Sequence, residues 1–307
     1  MICASHPALL KHSPPRGHPE QPARLRCIYE ALERRFGAGT VVSLYRLATK
    51  AELYAAHSPE YIDYLFSLGR SETALDDETF FSKDSLECVL LSAGIGLELV
   101  ERIAAGTYRK CFALVRPPGH HAGSSCARGY CIINTMAVAV QRALSLGFSR
   151  IALIDWDVHH GNGTQEIFFN TASVYGIDLH QDRLFPQETG TPSEIGSGPG
   201  KGFTLNLPLP PESTGAYYCE LMESTVYPLL KSYKPHLLCI SCGFDALCGD
   251  SESTMCLQPQ DYGALTGIVC SWADELCGGR LFMVLEGGYN SALAEAATAV
   301  WERIILS

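Results

Sequence analysis

Short apolar runs rich in β-branched residues alternate with longer amphipathic stretches along the 307-residue chain. The runs Phe112 to Val115, Ile151 to Ile154, Ser173 to Ile177, His236 to Ser241 and Leu281 to Leu285 lack the alternation of a half-exposed strand. They therefore predict strands buried on both faces. The stretches between them predict helices. Pro22 to Phe36 opens on a proline and ends before Gly37; Leu86 to Ala105 closes at Gly106; Asn134 to Leu146 opens on an asparagine cap and closes at Gly147. Ser213 to Ser232, Pro259 to Leu276 and Ser291 to Ile305 complete the set. Strands alternating with helices predict an α/β fold with a mainly parallel sheet flanked by helices. No repeat, low-complexity tract or linker interrupts the pattern, so residues 1–307 are expected to form a single domain.

Composition sharpens this picture in three ways. Hydrophobic residues make up 47% of the chain and charged residues 18%, which supplies a large core and excludes a disordered chain or a coiled coil. The formal net charge is −10, so there is no cationic surplus to neutralise phosphates. Direct nucleic-acid binding is not expected, and cationic substrates suit the balance better. The 13 cysteines are an odd number and cannot all pair within the chain. Cys88, Cys239 and Cys270 lie in apolar stretches, and Cys239 and Cys242 face opposite sides of one predicted strand, which makes them core thiols rather than a metal or redox pair. A reducing cytoplasm is the expected setting. Neither a signal-like segment nor an apolar run of about 18 residues is present, so no membrane partner is expected.

In parallel α/β sheets, ligands bind beyond the carboxyl ends of the strands. Here those ends are dense with polar residues. The first strand leads into Arg116-Pro-Pro-Gly-His120-His121 and the second into Asp155-Trp-Asp157-Val-His159-His160-Gly-Asn162. The third leads into Asp178-Leu179-His180, the fourth into Gly243-Phe-Asp245, and the fifth into Glu286-Gly-Gly288-Tyr289-Asn290. One such residue would be unremarkable as a structural group. Five strand ends delivering them to one rim point to a reaction centre.

Asp157, His159 and Asp245 have the donors of a metal site with one imidazole and two carboxylates. Three protein ligands leave a position open, as in catalytic zinc sites, although mixed N/O donors also suit iron(II), manganese or cobalt. Asp155, Asp157 and His159 would share a face if the chain stayed extended past its strand. The adjacent His120 and His121 would titrate as a coupled pair, one as general base and one as electrostatic partner. Asp155 and Asn162 are candidates to orient them. Tyr289, between Gly288 and Asn290, can donate to a developing oxyanion, and the glycines let backbone approach a narrow substrate. Together these parts describe metal-assisted hydrolysis of an amide or ester.

The segments GHPEQPARL (17–25), AHSPEYIDYL (56–65), RPPGHHA (116–122), GYCIIN (129–134), IDWDVHHGNGTQEIFF (154–169), LHQDRLFPQETG (179–190), CGFDALCGD (242–250) and LEGGYN (285–290) carry a strong resemblance. The sequence resembles the zinc-dependent histone deacetylases, in the class II and bacterial branch that includes acetylpolyamine amidohydrolases. That resemblance implies the arginase-deacetylase α/β fold and removal of acetyl groups from acetylated lysine side chains of proteins or from acetylated polyamines. It implies zinc on Asp157, His159 and Asp245, with His121 as base and His120 as its partner oriented by Asp155. It places Asn162 behind His121 and Tyr289 on the amide carbonyl. Tyr130 and Phe185 would flank the acyl-lysine tunnel, with backbone from Gly129. It also implies structural potassium on main-chain oxygens of Asp155, Asp157 and His159 and a carboxylate of Asp155 or Asp157. By the same resemblance, Asp178 and Leu179 would belong to that inner cation site.

Three positions depart from the family pattern. Asp178 replaces a serine beside the inner potassium site and adds a carboxylate. Tyr130 replaces a phenylalanine on the tunnel wall. Glu252 stands seven residues after Asp245 where an apolar residue is usual, as in the polyamine-selective branch. The loop 11–21 shows no extra helix of the kind that constricts that branch. A non-catalytic acyl-lysine binding module on the same fold would have no need of Tyr289 together with an intact metal triad. A two-metal ureohydrolase would want further bridging carboxylates and has no use for Tyr289.

Overall fold

The computed structural model describes residues 1–307. Its strands are β1 (Ile2–Ser5), β2 (Val41–Ser43), β3 (Thr73–Ala74), β4 (Phe80–Phe81), β5 (Lys110–Ala113), β6 (Ile151–Asp155), β7 (Val174–Gln181), β8 (Thr204–Leu209), β9 (Leu237–Cys242) and β10 (Leu281–Leu285). Its helices are α1 (Pro22–Phe36), α2 (Lys50–Leu53), α3 (Pro59–Leu68), α4 (Ser85–Ala104), α5 (Thr135–Ser145), α6 (Asn162–Phe168), α7 (Gly215–Leu221), α8 (Tyr227–Tyr233), α9 (Pro259–Cys277) and α10 (Leu293–Leu306). Eight strands form one parallel sheet in the order β2-β1-β5-β10-β9-β6-β7-β8, and β3 and β4 make a small antiparallel hairpin. The sheet lies between two helical layers. Helices α4, α5 and α6 pack on one another, while α1, α10 and α9 form a second connected set joined by α7 and α8. The expected α/β fold with a mainly parallel sheet is present.

The five expected strands form the middle of this sheet, β5, β10, β9, β6 and β7. Strands β1, β2 and β8 were not expected. The first two have only four and three residues, too few to show a period, and β8 contains Pro208. The single helix expected over 213–232 is α7 and α8 joined by a wider turn at Met222–Val226. Pro228 lacks an amide hydrogen, and the turn just before it lets the Tyr227 amide reach back five residues to the Met222 carbonyl. Helices α2, α3 and α6 also lie outside the expected set; Thr49 and Ser58 cap the first two with their side chains.

The chain order explains how one rim is assembled. After β5 the chain skips two places to β6, runs outward through β7 and β8, and then returns to fill the gap with β9 and β10. The carboxyl ends of β5, β10, β9 and β6 are thereby neighbours, although their residues come from four separate parts of the sequence. The core beneath them is closed to solvent: every residue of β5, β6, β9 and β10 is buried. Cys239 and Cys242 are buried in β9, as core thiols should be, and all 13 cysteines are free.

Candidate active site

Strand β6 ends at Asp155, so the chain is not extended through Asp157 and His159 as the period-two reading required. The turn beyond it separates the three residues into two tasks. Asp155 Oδ1 accepts the Asp157 amide at 3.0 Å, and its Oδ2 lies 3.1 Å from His120 Nδ1. Asp157 and His159 instead face Asp245 from the end of β9, and the ligand atoms of these three residues lie within 4.8 Å of one another. His159 Nδ1 is 3.2 Å from both Asp157 Oδ1 and Asp245 Oδ2.

The backbone holds this cluster closely. Asp157 Oδ2 accepts the Gly287 amide at 2.8 Å, and Asp245 Oδ1 accepts the Val158 amide at 2.8 Å. A β-carbon at Gly243 or Gly287 would collide with these carboxylates, which is why a glycine follows β9 directly and β10 two residues on. The cluster's electrostatics are those of a cation site. Burial and the facing Asp157 push Asp245 up to about 7, while bonds to both carboxylates outweigh burial and raise His159 to about 10. The donor set, its burial and its open side fit a catalytic metal.

The tandem histidines have opposite environments. Burial opposes charge on His120, but Asp157 and Asp155 overcome it and hold its pKa well above the ordinary imidazole value. Burial and then the charges on His120 and His159 push His121 well below it. His121 Nδ1 lies 2.9 Å from Asn162 Oδ1. An amide oxygen can only accept, so His121 carries its proton on Nδ1 and leaves Nε2 free. The two rings are 4.0 Å apart between centroids.

Tyr289 reaches the same space from the end of β10. Its amide donates to Asp250 Oδ2 at 2.7 Å, and the Arg24 guanidinium sits over its ring at 4.6 Å. Burial drives its phenol well above the ordinary value, so it remains a hydrogen-bond donor.

These groups line a narrow cavity of about 70 Å³ with Glu78, Pro118, Gly129, Tyr130, Phe185, Glu252 and Gly287. The Phe185 ring stands edge-on to His121 at 5.1 Å, and Tyr130 edge-on to Tyr289 at 5.8 Å. A β-carbon on Gly129, whose φ is +51°, would lie 2.6 Å from His121 Cδ2 and 2.9 Å from Phe185 Cε1. Only glycine lets the backbone form that wall. Gly288 is absent from the lining; the wall there is Gly287, and the Gly288 carbonyl faces Arg24 Nε at 2.6 Å.

Asp178 and Leu179 lie inside β7, which runs on to Gln181, rather than beyond a strand end. Asp178 pairs in register with Asp155 across β6 and β7. Its oxygens are taken by His180 Nδ1 at 2.6 Å and by the Gly161 amide at 2.8 Å. Burial raises the Asp155 pKa well above its usual value despite His120, and Asp178 adds to the rise.

Several functional supports have no role assigned from the sequence, although Glu286 stands among its strand-end residues. Glu286 Oε2 accepts the amides of Gly119 and His120 at 2.6 and 3.1 Å and so fixes the tandem-histidine loop. Arg24 also donates to the Glu286 carbonyl at 2.7 Å, and Glu20 ties Arg24 to the fully buried Arg116. Charged residues inside the motifs at 17–25 and 116–122 were the available signal. Glu78 had none, because its position depends on the hairpin.

The histone deacetylase domain family matches the chain over residues 18–304. A probable deacetylase of Archaeoglobus fulgidus is 35% identical over 288 residues, covering 93% of this chain and 80% of the relative. The human polyamine deacetylase HDAC10 is 36% identical over 292 residues, covering 90% of this chain and 43% of the relative. The crystal structure of an HDA15 HD domain superposes with a TM-score of 0.93 at 34% identity, over 100% of this chain and 91% of that one.

Proposed function

The chain belongs to the histone deacetylase domain family, and on that premise we propose that it hydrolyses the amide of N-acetylated amines with a metal ion on Asp157, His159 and Asp245. Acetylated lysine side chains of proteins are the first substrate class and acetylated polyamines the second. The observation that carries this reading is the convergence of a buried three-ligand cluster, a histidine pair of opposite character and Tyr289 on one narrow cavity.

Zinc is the metal favoured, with iron(II) or cobalt also suited to the donors; when bound, it supplies Lewis acidity to an amide carbonyl and acidifies a water molecule. The protein's own residues do the rest. His121, neutral and with Nε2 free, takes the proton of the attacking water and returns it to the departing amine nitrogen. His120, held cationic by Asp155 and Asp157, faces the negative charge that develops during attack. Tyr289 donates its hydroxyl to the developing oxyanion. Asn162 keeps His121 in the required tautomer. Tyr130, Phe185 and Gly129 confine an unbranched chain and exclude water.

Asp155 and Asp178 stand in register across β6 and β7, and two buried carboxylates beside one cationic imidazole support a structural potassium ion with Leu179 beside it. Glu252 on the cavity wall is the observation favouring polyamines, because a carboxylate there attracts a distal ammonium. The free cysteines support a reducing, cytoplasmic setting, and no helix is long and apolar enough to cross a membrane. Removing metal with a chelator should abolish hydrolysis of an acetyl-lysine peptide, and zinc or cobalt should restore it. Full activity of the metal-free protein would refute the proposal.

A further inference from the structure

Glu252 is not the only carboxylate at the mouth of the cavity: Glu78 lines it as well, from the turn between β3 and β4. That turn is held firmly. Asp76 Oδ1 accepts the amides of Glu78 and Thr79, and the Glu78 carbonyl lies 2.9 Å from His18 Nε2. The turn is also docked on the tunnel wall. Thr79 Oγ1 accepts the Tyr130 amide at 3.0 Å, and His18 packs edge-on against the Tyr130 ring at 4.5 Å. On its other side Tyr130 donates its hydroxyl to Glu252 Oε2 at 3.4 Å. Tyr130 thus connects the two segments that bear the carboxylates, and both carboxylates act on its phenol, which burial already drives up.

Neither Glu78 nor Glu252 has an Arg or Lys partner, although most acidic side chains around Arg46, Arg24 and Arg116 do. Two uncompensated carboxylates at one entrance favour a substrate that brings the positive charge itself. The flanking chain of an acetyl-lysine with neutral neighbours brings none. An N-acetylated diamine brings one ammonium, and an N-acetylated triamine brings two along a single unbranched chain.

We propose that Glu78 is a specificity-determining residue that reads a second ammonium on the substrate, beyond the one met by Glu252, and so selects N-acetylated triamines over N-acetylated diamines. This rests on the deacetylase reading above and narrows its second substrate class. The pair is exposed on the Glu78 side, so each charge contributes modestly: about 1.4-fold to fivefold, the range of a solvent-facing ion pair.

The test compares Glu78→Gln and Glu252→Gln with the parent protein on three compounds: an N-acetylated triamine, an N-acetylated diamine and an acetyl-lysine peptide with neutral flanks. Glutamine keeps the shape and removes the charge. Glu78→Gln should lower kcat/KM about 1.4-fold to fivefold for the triamine alone, and Glu252→Gln should lower it for both polyamines. Raising salt to about 0.5 M should shrink both effects, because screening acts on the charges. Calorimetric Kd values for the same compounds read recognition independently of turnover, so recognition without hydrolysis would count against the deacetylase reading and still support Glu78. An unchanged Kd for the triamine in Glu78→Gln, or an equal loss on all three compounds, would overturn the assignment.

Discussion

Gly287 lies where the two carboxylates of the proposed metal cluster close on the backbone, and Gly287→Ala tests whether that closeness is required. The added methyl would collide with Asp245 Oδ2 and lie 2.7 Å from Asp157 Oδ2, where about 3.5 Å is an ordinary contact. Backbone strain is not the obstacle, since Gly287 is not among the residues with positive φ. The carboxylates have no easy retreat. Asp245 is tied to the Val158 amide at 2.8 Å, and Asp157 to the Gly287 and His159 amides at 2.8 and 3.0 Å. Overpacking of this kind costs about 1–3 kcal/mol, against a typical domain stability of about 5–15 kcal/mol, so the variant should fold. The loss should fall on the metal. Disturbing a group that merely orients a ligand weakens affinity about 10–100-fold. Here the ligand itself must move, so zinc affinity should fall by about 100-fold or more. Competition with a chromogenic chelator measures this, and circular dichroism checks the fold. Zinc binding within about threefold of the parent, well below that range, would refute the close placement of Asp157 and Asp245 on Gly287.

Tyr289→Phe should fold normally and lower kcat by about 10²–10³ with little change in KM, because the lost bond strengthens in the transition state; a change in kcat within about threefold would remove Tyr289 as the oxyanion donor. Glu252→Leu should reduce kcat/KM for acetylated polyamines and leave or raise it for acetyl-lysine peptides, more clearly at low salt; equal effects on both would make Glu252 an ordinary loop carboxylate. His57 is buried, with Nε2 accepting the Asn134 amide at 3.0 Å and Nδ1 facing the Gly123 carbonyl at 2.9 Å, and burial lowers it to about 4. It is neutral in the folded chain and gains a proton near pH 6.5 when unfolded, so its contribution is complete above about pH 6.5 and is lost as the pH falls toward 4, at about 1.4 kcal/mol per unit. Chemical denaturation across that range should show a shallower slope in His57→Gln, and identical slopes would contradict this assignment.

The chemistry was written locally. Asp157 and His159 are two residues apart, the tandem histidines are adjacent, and Tyr289 follows two glycines. The uninterrupted apolar runs at 112–115, 151–154 and 281–285 report burial on both faces, and that was enough to predict a parallel sheet with reactive groups at its strand ends. Periodicity reports which faces are buried, however, and not which strands are neighbours. Placing β9 and β10 between β5 and β6 brings Asp245 to His159, Glu286 to the tandem histidines and Arg24 to Gly288, the last pair 264 residues apart. Those pairings depend on helices packing over the whole sheet.

The sequence by itself determined the fold class and named the donor types of the candidate metal cluster and the tandem histidines, because each follows from residue identity and short spacing. The tertiary structure decided how those parts are divided. It ended β6 at Asp155, so that carboxylate supports His120 while Asp157 turns to His159 and Asp245. It put Gly287 rather than Gly288 on the cavity wall, and it carried Glu78 to the entrance on a hairpin with two-residue strands. The physical reason is common to all three. A side chain's direction at the end of a strand is set by the long-range contacts that stop the strand, and no local pattern of polar and apolar residues encodes them.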